Sequence, residues 1–185
     1  LPGGQLAFTV ADVCDKGVGA ALYMALFRSL LRISLQQAQQ GQTPAQTLES
    51  AVSFTNDYVA TVHGRDNMFA TVFAALLDPT SGRLDYINAG HDAPLLLRRG
   101  AQAADLLHAE GLALGMMADQ IYSARSVVLQ PGDRLLAFTD GLIEAMSPTD
   151  ELLGERRVRA CITAAATSPQ ALLASIQDSL AQHGG

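Results

Sequence analysis

Charge is scarce in this chain. Only 16% of its 185 residues are Asp, Glu, Lys or Arg, against roughly 25% in an ordinary globular domain. That shortage excludes intrinsic disorder and a charge-rich coiled coil. Basic residues are the scarcer sign, 12 Lys+Arg against 18 Asp+Glu for a formal net charge of -6. There is thus no footprint for a phosphate backbone or an anionic bilayer, and no nucleic-acid partner is expected. Tryptophan is absent, and the two cysteines, Cys14 and Cys161, form no CxxC pair. A disulfide framework and a zinc knuckle are excluded, and a reducing compartment is expected. No basic segment precedes an apolar run at the start, so no secretory signal is visible. The longest unbroken apolar stretch, residues 20–27, falls short of the roughly 20 residues that span a bilayer. What is present is a 49% hydrophobic chain, enough for one domain with a sizeable core. Leu1-Pro2-Gly3-Gly4 and Gly184-Gly185 read as cuts within a longer protein.

The hydrophobic period changes along the chain. Residues 5–12 (QLAFTVAD) form a β-branched and aromatic run, read as a buried strand. Residues 18–40 are rich in Ala, Leu and Met, with Arg28 and Arg32 four apart, and predict a long helix buried over most of its surface. Thr43-Pro44 supplies an N-cap and a first-turn proline for a second helix reaching about His63. Residues 68–78 and 83–90, joined by Pro79-Thr80-Ser81-Gly82, read as a hairpin. Strands follow at 94–99, 104–108, 121–129 and 134–139, and helices at 157–166 and 169–183 close the chain. The order predicts an α+β fold of two antiparallel sheets with helices outside.

Two segments echo each other. Residues 7–12 (AFTVAD) and 136–140 (LAFTD) each bring an Asp, Asp12 or Asp140, to the end of an apolar strand before a glycine-bearing loop. Carboxylates there are poorly solvated and, if they converge, repel each other unless a cation lies between them. All-oxygen ligands suit Mg²⁺ or Mn²⁺ rather than zinc. A strand also ends in Asp when its turn accepts one, and at this point both readings stand.

Four motifs occur in order: residues 12–21 (DVCDKGVGAA), 68–72 (MFATV), 88–91 (NAGH) and 138–141 (FTDG). Together they resemble the metal-dependent PPM-type protein serine/threonine phosphatases of the bacterial SpoIIE/RsbU branch, over nearly the whole chain. The resemblance implies an αββα sandwich that removes phosphate from serine or threonine on proteins, using two Mn²⁺ or Mg²⁺ ions to activate water. It makes Asp12 and Asp140 catalytic metal ligands and the Val13 carbonyl their neighbour. Asp15 stands where many members have glycine, and is expected to cap the turn before the first helix. Lys16 is a candidate attractor of substrate phosphate. Asn88, His91, Thr139 and Gly141 are expected to support the site's loops, with His91 as a hydrogen-bonding support. His63, His108 and His183 lie outside every motif and are expected at the surface.

The chain also departs from the pattern. The family's upstream GGDxxD motif and its downstream Asp-Asp are missing, and Asp66-Asn67 is no substitute because it precedes the FATV strand. Residues 1–185 thus read as a phosphatase domain truncated at both ends, with weak metal binding and feeble hydrolysis. The resemblance further implies a phosphorylated STAS-type anti-anti-sigma protein as substrate and gating by attached sensor domains through the first two helices. A homodimer and a cytoplasmic location, in a larger membrane-anchored sensor, complete the expectations. The alternative is a phosphatase-like module that only docks a partner.

Overall fold

The computed structural model describes residues 4–37, 41–163 and 168–184. In chain order the elements are β1 (Leu6–Val13), α1 (Val18–Gln36), α2 (Pro44–Val62), a 3₁₀ turn (Gly64–Asp66), β2 (Ala70–Leu77), β3 (Arg83–Ala89), β4 (Leu95–Leu97), β5 (Asp105–Leu106), β6 (Arg125–Val128), β7 (Arg134–Leu136), α3 (Asp140–Ile143), α4 (Glu155–Thr163) and α5 (Pro169–Gly184). They fall into two compact units. The first comprises Leu1–Asp92 and His108–Leu129, the second Ala93–Leu107 and Gln130–Gly185.

The first unit is built on a four-stranded antiparallel sheet in the order β1-β2-β3-β6. Alternation along the strands sends Ala11 and Val13 of β1, Val72, Ala74 and Leu76 of β2, and Ile87 of β3 to one core. That core is closed by Phe27, Leu31 and Leu35 of α1 and by Leu48, Val52 and Val59 of α2. The start of α2 is set locally, as expected. Thr43 accepts from the Gln46 amide while the Gln46 side chain accepts from the Thr43 amide, a capping box with Pro44 in the first turn. The β2–β3 turn also holds, with Asp78 accepting from the Thr80 amide and from both hydroxyls of Thr80 and Ser81. Deeper in the sheet, the buried Asp85 is gripped by Arg83 through two nitrogens and by Ser126.

Two expectations for α1 are corrected. The helix is not buried over most of its surface: Val18 is 78% exposed and Leu22 67%. Phe27, Leu31 and Leu35 are its buried residues, with Ala20, Tyr23, Met24, Leu26 and Leu30 half-buried against the same core, because α1 packs on one side. With Arg28 and Arg32 as its charged residues, the helix also contains an 18-residue window with a mean hydropathy of 1.4. By length and composition α1 therefore does match a membrane span, although no uninterrupted apolar run of that length exists.

The strand expected over 121–129 is confined to Arg125–Val128. Upstream residues are diverted into side-chain contacts: Tyr122 donates to Leu112 O and Asn56 Oδ1, and the Ala124 amide donates to Glu49. The buried Asn56 of α2 also accepts from the Gly115 amide and donates to Met117 O, fastening this loop to the helix.

The second unit has a three-stranded antiparallel sheet in the order β5-β4-β7, with strands of only two or three residues. Leu95 and Leu97 pack with Val158 and Ile162 of α4 and with Leu172 and Ile176 of α5. The strand expected to reach 139 stops at Leu136, and Asp140 opens the one-turn helix α3. Asp133 organises the β4 and β7 ends. Its carboxylate accepts from the Gln130 and Arg99 amides and from the Arg98 guanidinium. Each sheet thus carries its own helical cover, in agreement with the α+β class. The last residues of the expected 18–40 and 157–166 helices lie in part outside the described residues.

Candidate active site

Asp12 is the penultimate residue of β1. Its register partner on β2 is Thr71, so the two side chains stand side by side on one face of the sheet. That face is opposite to the one Ala11 and Val13 give to the helical core, so Val13 is buried while its carbonyl lies in the strand next to Asp12. Thr71 Oγ1 lies 2.9 Å from His91 Nδ1. The His91 amide in turn donates to Asn88 Oδ1 at 2.8 Å, closing the turn after β3. Both residues are buried, His91 and Asn88 each at 4% exposure. Gly90 sits between them at φ +70°, and a Cβ there would approach the Ala113 amide nitrogen at 3.1 Å. A side chain at that position meets left-handed backbone strain and a tight approach to the Ala113 backbone.

The loop after β1 extends the ladder by one step. The Cys14 amide donates to Phe69 O, and Cys14 Sγ accepts from the Phe69 amide. Asp15 follows at φ +70°. This is the left-handed region that favours glycine and admits Asp, which is a physical account of why the position takes either residue. The Asp15 carboxylate accepts from the Lys16 amide at 2.8 Å. It caps the turn only, since the N-cap of α1 is Gly17, with no side-chain bond. Lys16 is exposed.

The second unit positions the FTDG motif. Thr139 occupies the N-cap of α3 without a capping bond, and Asp140 is exposed in the first turn. Gly141 has no left-handed φ, and a Cβ there would meet only the Thr139 hydroxyl at 3.9 Å, an ordinary contact, so nothing local requires a glycine there. The turn is closed by the Leu142 amide donating to Thr139 O at 3.0 Å and the Glu144 amide donating to Asp140 O at 2.8 Å.

The structure therefore brings Asp12, Val13, Asn88 and His91 together through Thr71, and places Thr139, Asp140 and Gly141 on α3. Sequence reasoning overlooked Thr71. It is visible only once the β1–β2 register is known, although it lay inside the FATV motif. His183 is a correction: it is buried at 7% exposure rather than at the surface. His108 is exposed, and His63 ends α2 with its ring edge-on to Tyr23. Tyr23 donates to Asp66 at 2.5 Å, and this bond pushes the phenol up to about 12.

The donor atoms are of the right kind for a hard cation but not of the right number. Among the described residues no group of three or more His, Cys, Asp or Glu side chains converges as a metal-holding cluster. These residues alone do not fit a two-metal centre.

Comparison with known proteins settles the family. The profile of SpoIIE, Stage II sporulation protein E, matches residues 2–185. The chain belongs to the SpoIIE family. It is 37% identical over 197 residues to protein IcfG of a Synechocystis species, covering 96% of this chain and 31% of IcfG. Phosphoserine phosphatase RsbU of Bacillus subtilis is 28% identical over 176 residues, covering 95% of this chain and 50% of RsbU. The chain thus spans half or less of the length of these relatives. Among solved structures, the RsbU and RsbW domains of Rv1364c from Mycobacterium tuberculosis superpose with a TM-score of 0.72 at 28% identity, over 98% of this chain and 49% of that one. The catalytic domain of the serine/threonine phosphatase PstP, solved with two manganese ions, shares the fold with a TM-score of 0.66 at 17% identity, over 96% of this chain and 82% of that one. The SpoIIE-family chain has the fold of PP2C-type phosphatases.

Proposed function

We propose that this SpoIIE-family chain is the phosphatase portion of a signalling protein that hydrolyses phosphoserine or phosphothreonine on a STAS-type anti-anti-sigma protein. The observation that carries the reading is Asp12. It stands at the end of an eight-pair ladder, with Thr71, His91 and Asn88 behind it, in a chain whose family includes phosphoserine phosphatases. Asp12, the Val13 carbonyl and Asp140 would be oxygen ligands for Mn²⁺ or Mg²⁺, a set that needs carboxylates beyond those the described residues bring together. Bound metal ions would supply Lewis-acid activation of water. This chain's own contribution is to fix two carboxylates. The β1–β2 ladder sets the direction of Asp12, His91 and Asn88 hold the turn beside it, and α3 sets Asp140. Lys16 is exposed near the start of α1, where it is available to a phosphorylated substrate.

The exposed apolar faces of the first two helices support a regulatory role for them. Val18, Leu22 and Ile33 on α1, and Phe54, Tyr58 and Val62 on α2, are all more than a third exposed. Such faces suit an attached sensor domain or a second copy. The free thiols of Cys14 and Cys161 fit a cytoplasmic location. The second reading, a docking module without catalysis, is favoured by one observation, the lack of a metal-holding cluster among the described residues.

The test is Mn²⁺-dependent release of phosphate from a phosphorylated STAS protein by the longer protein. Asp12→Asn and Asp140→Asn are each expected to lower kcat by at least 100-fold, about 2.7 kcal/mol of transition-state stabilisation. Turnover that survives both substitutions would remove the assignment. Absence of turnover in the longer wild-type protein, with intact binding of the STAS protein, would establish the docking module instead.

A further inference from the structure

His183 is a buried imidazole that the phosphatase reading does not use. It lies near the C-terminus of α5, and its two nitrogens have different partners. Nε2 is 2.8 Å from Glu151 O and 3.1 Å from Ala145 O, while Nδ1 is 2.5 Å from an Arg157 guanidinium nitrogen. Carbonyl oxygens only accept and a guanidinium only donates, so the geometry selects one tautomer. Nε2 carries the proton and is shared between the two carbonyls, and Nδ1 accepts from Arg157 of α4.

Those two carbonyls belong to a small hairpin that grows directly out of α3. The Leu153 amide donates to Ala145 O, the Ser147 amide donates to Glu151 O, and Met146 faces Leu152 across an isolated bridge. The hairpin closes back on α3 through the Gly154 amide, which donates to Ile143 O at 2.9 Å. A helix of four residues is a single turn, with Leu142 donating to Thr139 O and Glu144 to Asp140 O, and depends on what it packs against. Leu142, Ile143, Ala145 and Leu153 pack α3 and the hairpin on the core of α4 and α5, and His183 adds the polar tie, joining the hairpin carbonyls to α5 and to Arg157 of α4.

We infer that His183 is a positioning residue for Asp140. It acts through the hairpin and never touches substrate. The inference rests on the assignment of Asp140 as a metal ligand, but the latch itself is a separate structural claim. A His183→Phe variant keeps the bulk and loses all three hydrogen bonds. A His183→Gln variant retains an amide donor for the carbonyls and an oxygen acceptor for Arg157.

The experiment measures amide hydrogen exchange across residues 142–154 in the metal-free chain, alongside Mn²⁺-dependent turnover of p-nitrophenyl phosphate by the longer protein. In His183→Phe, exchange at Glu144, Leu153 and Gly154 is expected to rise at least tenfold, with the amides of β1 and β2 unchanged. The kcat is expected to fall at least fivefold with KM within twofold, and His183→Gln to restore both to within threefold of wild type. Unchanged exchange in His183→Phe, or failure of His183→Gln to restore it, overturns the latch. Loosened exchange with unchanged kcat, while Asp140→Asn abolishes turnover, overturns the positioning role. If Asp140→Asn turns over like wild type, the reading of Asp140 is what fails, and the exchange data still decide the latch.

Discussion

The two units hold their candidate carboxylates by different means. In the first, β1 and β2 pair over eight consecutive positions and β2 and β3 over six, so Asp12 is fixed by a backbone ladder. In the second, β4 pairs with β5 at two positions and with β7 at three, too little to set the loops beyond them. There the order comes from side chains that reach backbone groups. Asp133 collects two amides and a guanidinium, Arg134 donates to Ile162 O, and His183 bridges two carbonyls. A ladder distributes its energy over many equivalent bonds and tolerates the loss of any one side chain. A latch concentrates it, so removing one group strands several partners at once. Asp12 is therefore expected to be robust to substitution around it and Asp140 sensitive.

The largest effect should come from the one place where the ladder does depend on a single residue. Gly82 ends the β2–β3 turn at φ +72°, and a Cβ there would lie 2.2 Å from Leu129 O, a backbone atom that cannot swing away. Gly82→Ala combines left-handed strain with overpacking and is expected to cost about 4 kcal/mol. A urea midpoint shift worth less than about 1 kcal/mol would show that the turn relaxes freely, and that the sheet is less rigid than its register implies.

In the second unit the matching substitution is Asp133→Ala, expected to cost about 2 kcal/mol because two amides and Arg98 lose their acceptor while staying within reach of water. Its pH dependence is specific. Burial alone would raise this carboxyl, but the Gln130 and Arg99 amides and the Arg98 guanidinium outweigh it and hold the group below its usual range. A depressed native pKa contributes stability that is complete above the unfolded value, about 3.9, and is lost as pH falls through the native one. The gap between wild type and Asp133→Ala in urea melts should therefore narrow below about pH 4. A gap that stays constant from about pH 6 to about pH 3 would mean that the carboxylate's charge adds nothing.

The same contrast explains what could be read from sequence. The β2–β3 hairpin and the start of α2 were legible because their signals are local: Pro79-Thr80-Ser81-Gly82 turns the chain, and Thr43-Pro44 opens a helix. The SpoIIE motifs single out Asp12 and Asp140 as candidates. The second unit's strands fall in the expected places but are shorter than the expected 94–99, 104–108 and 134–139, with two or three paired residues each, because pairing length is set by the partner strand and not by the local pattern. Tyr122 and Ala124 sit in a stretch with strand composition, yet partners on α2, out of sight in the local pattern, pull them away from the sheet. His183 looked like a surface residue because its partners are 26 to 38 positions distant, and two of them are carbonyls that any residue would supply. Thr71 required the register itself.

The smallest expected effect lies at the N-terminus of α2, where the first unit does use a side-chain cap. Thr43→Ala removes the acceptor of the Gln46 amide, while the Gln46 side chain can still accept from the residue 43 amide and Pro44 still presets the first turn. The loss should be about 1 kcal/mol, with no change in the exchange rates of β1 or β2 amides, since Leu48, Val52 and Val59 keep the helix on its core. If Thr43→Ala instead loosens β1, the ladder draws its order from the helix above it. The two units would then differ in degree and not in kind.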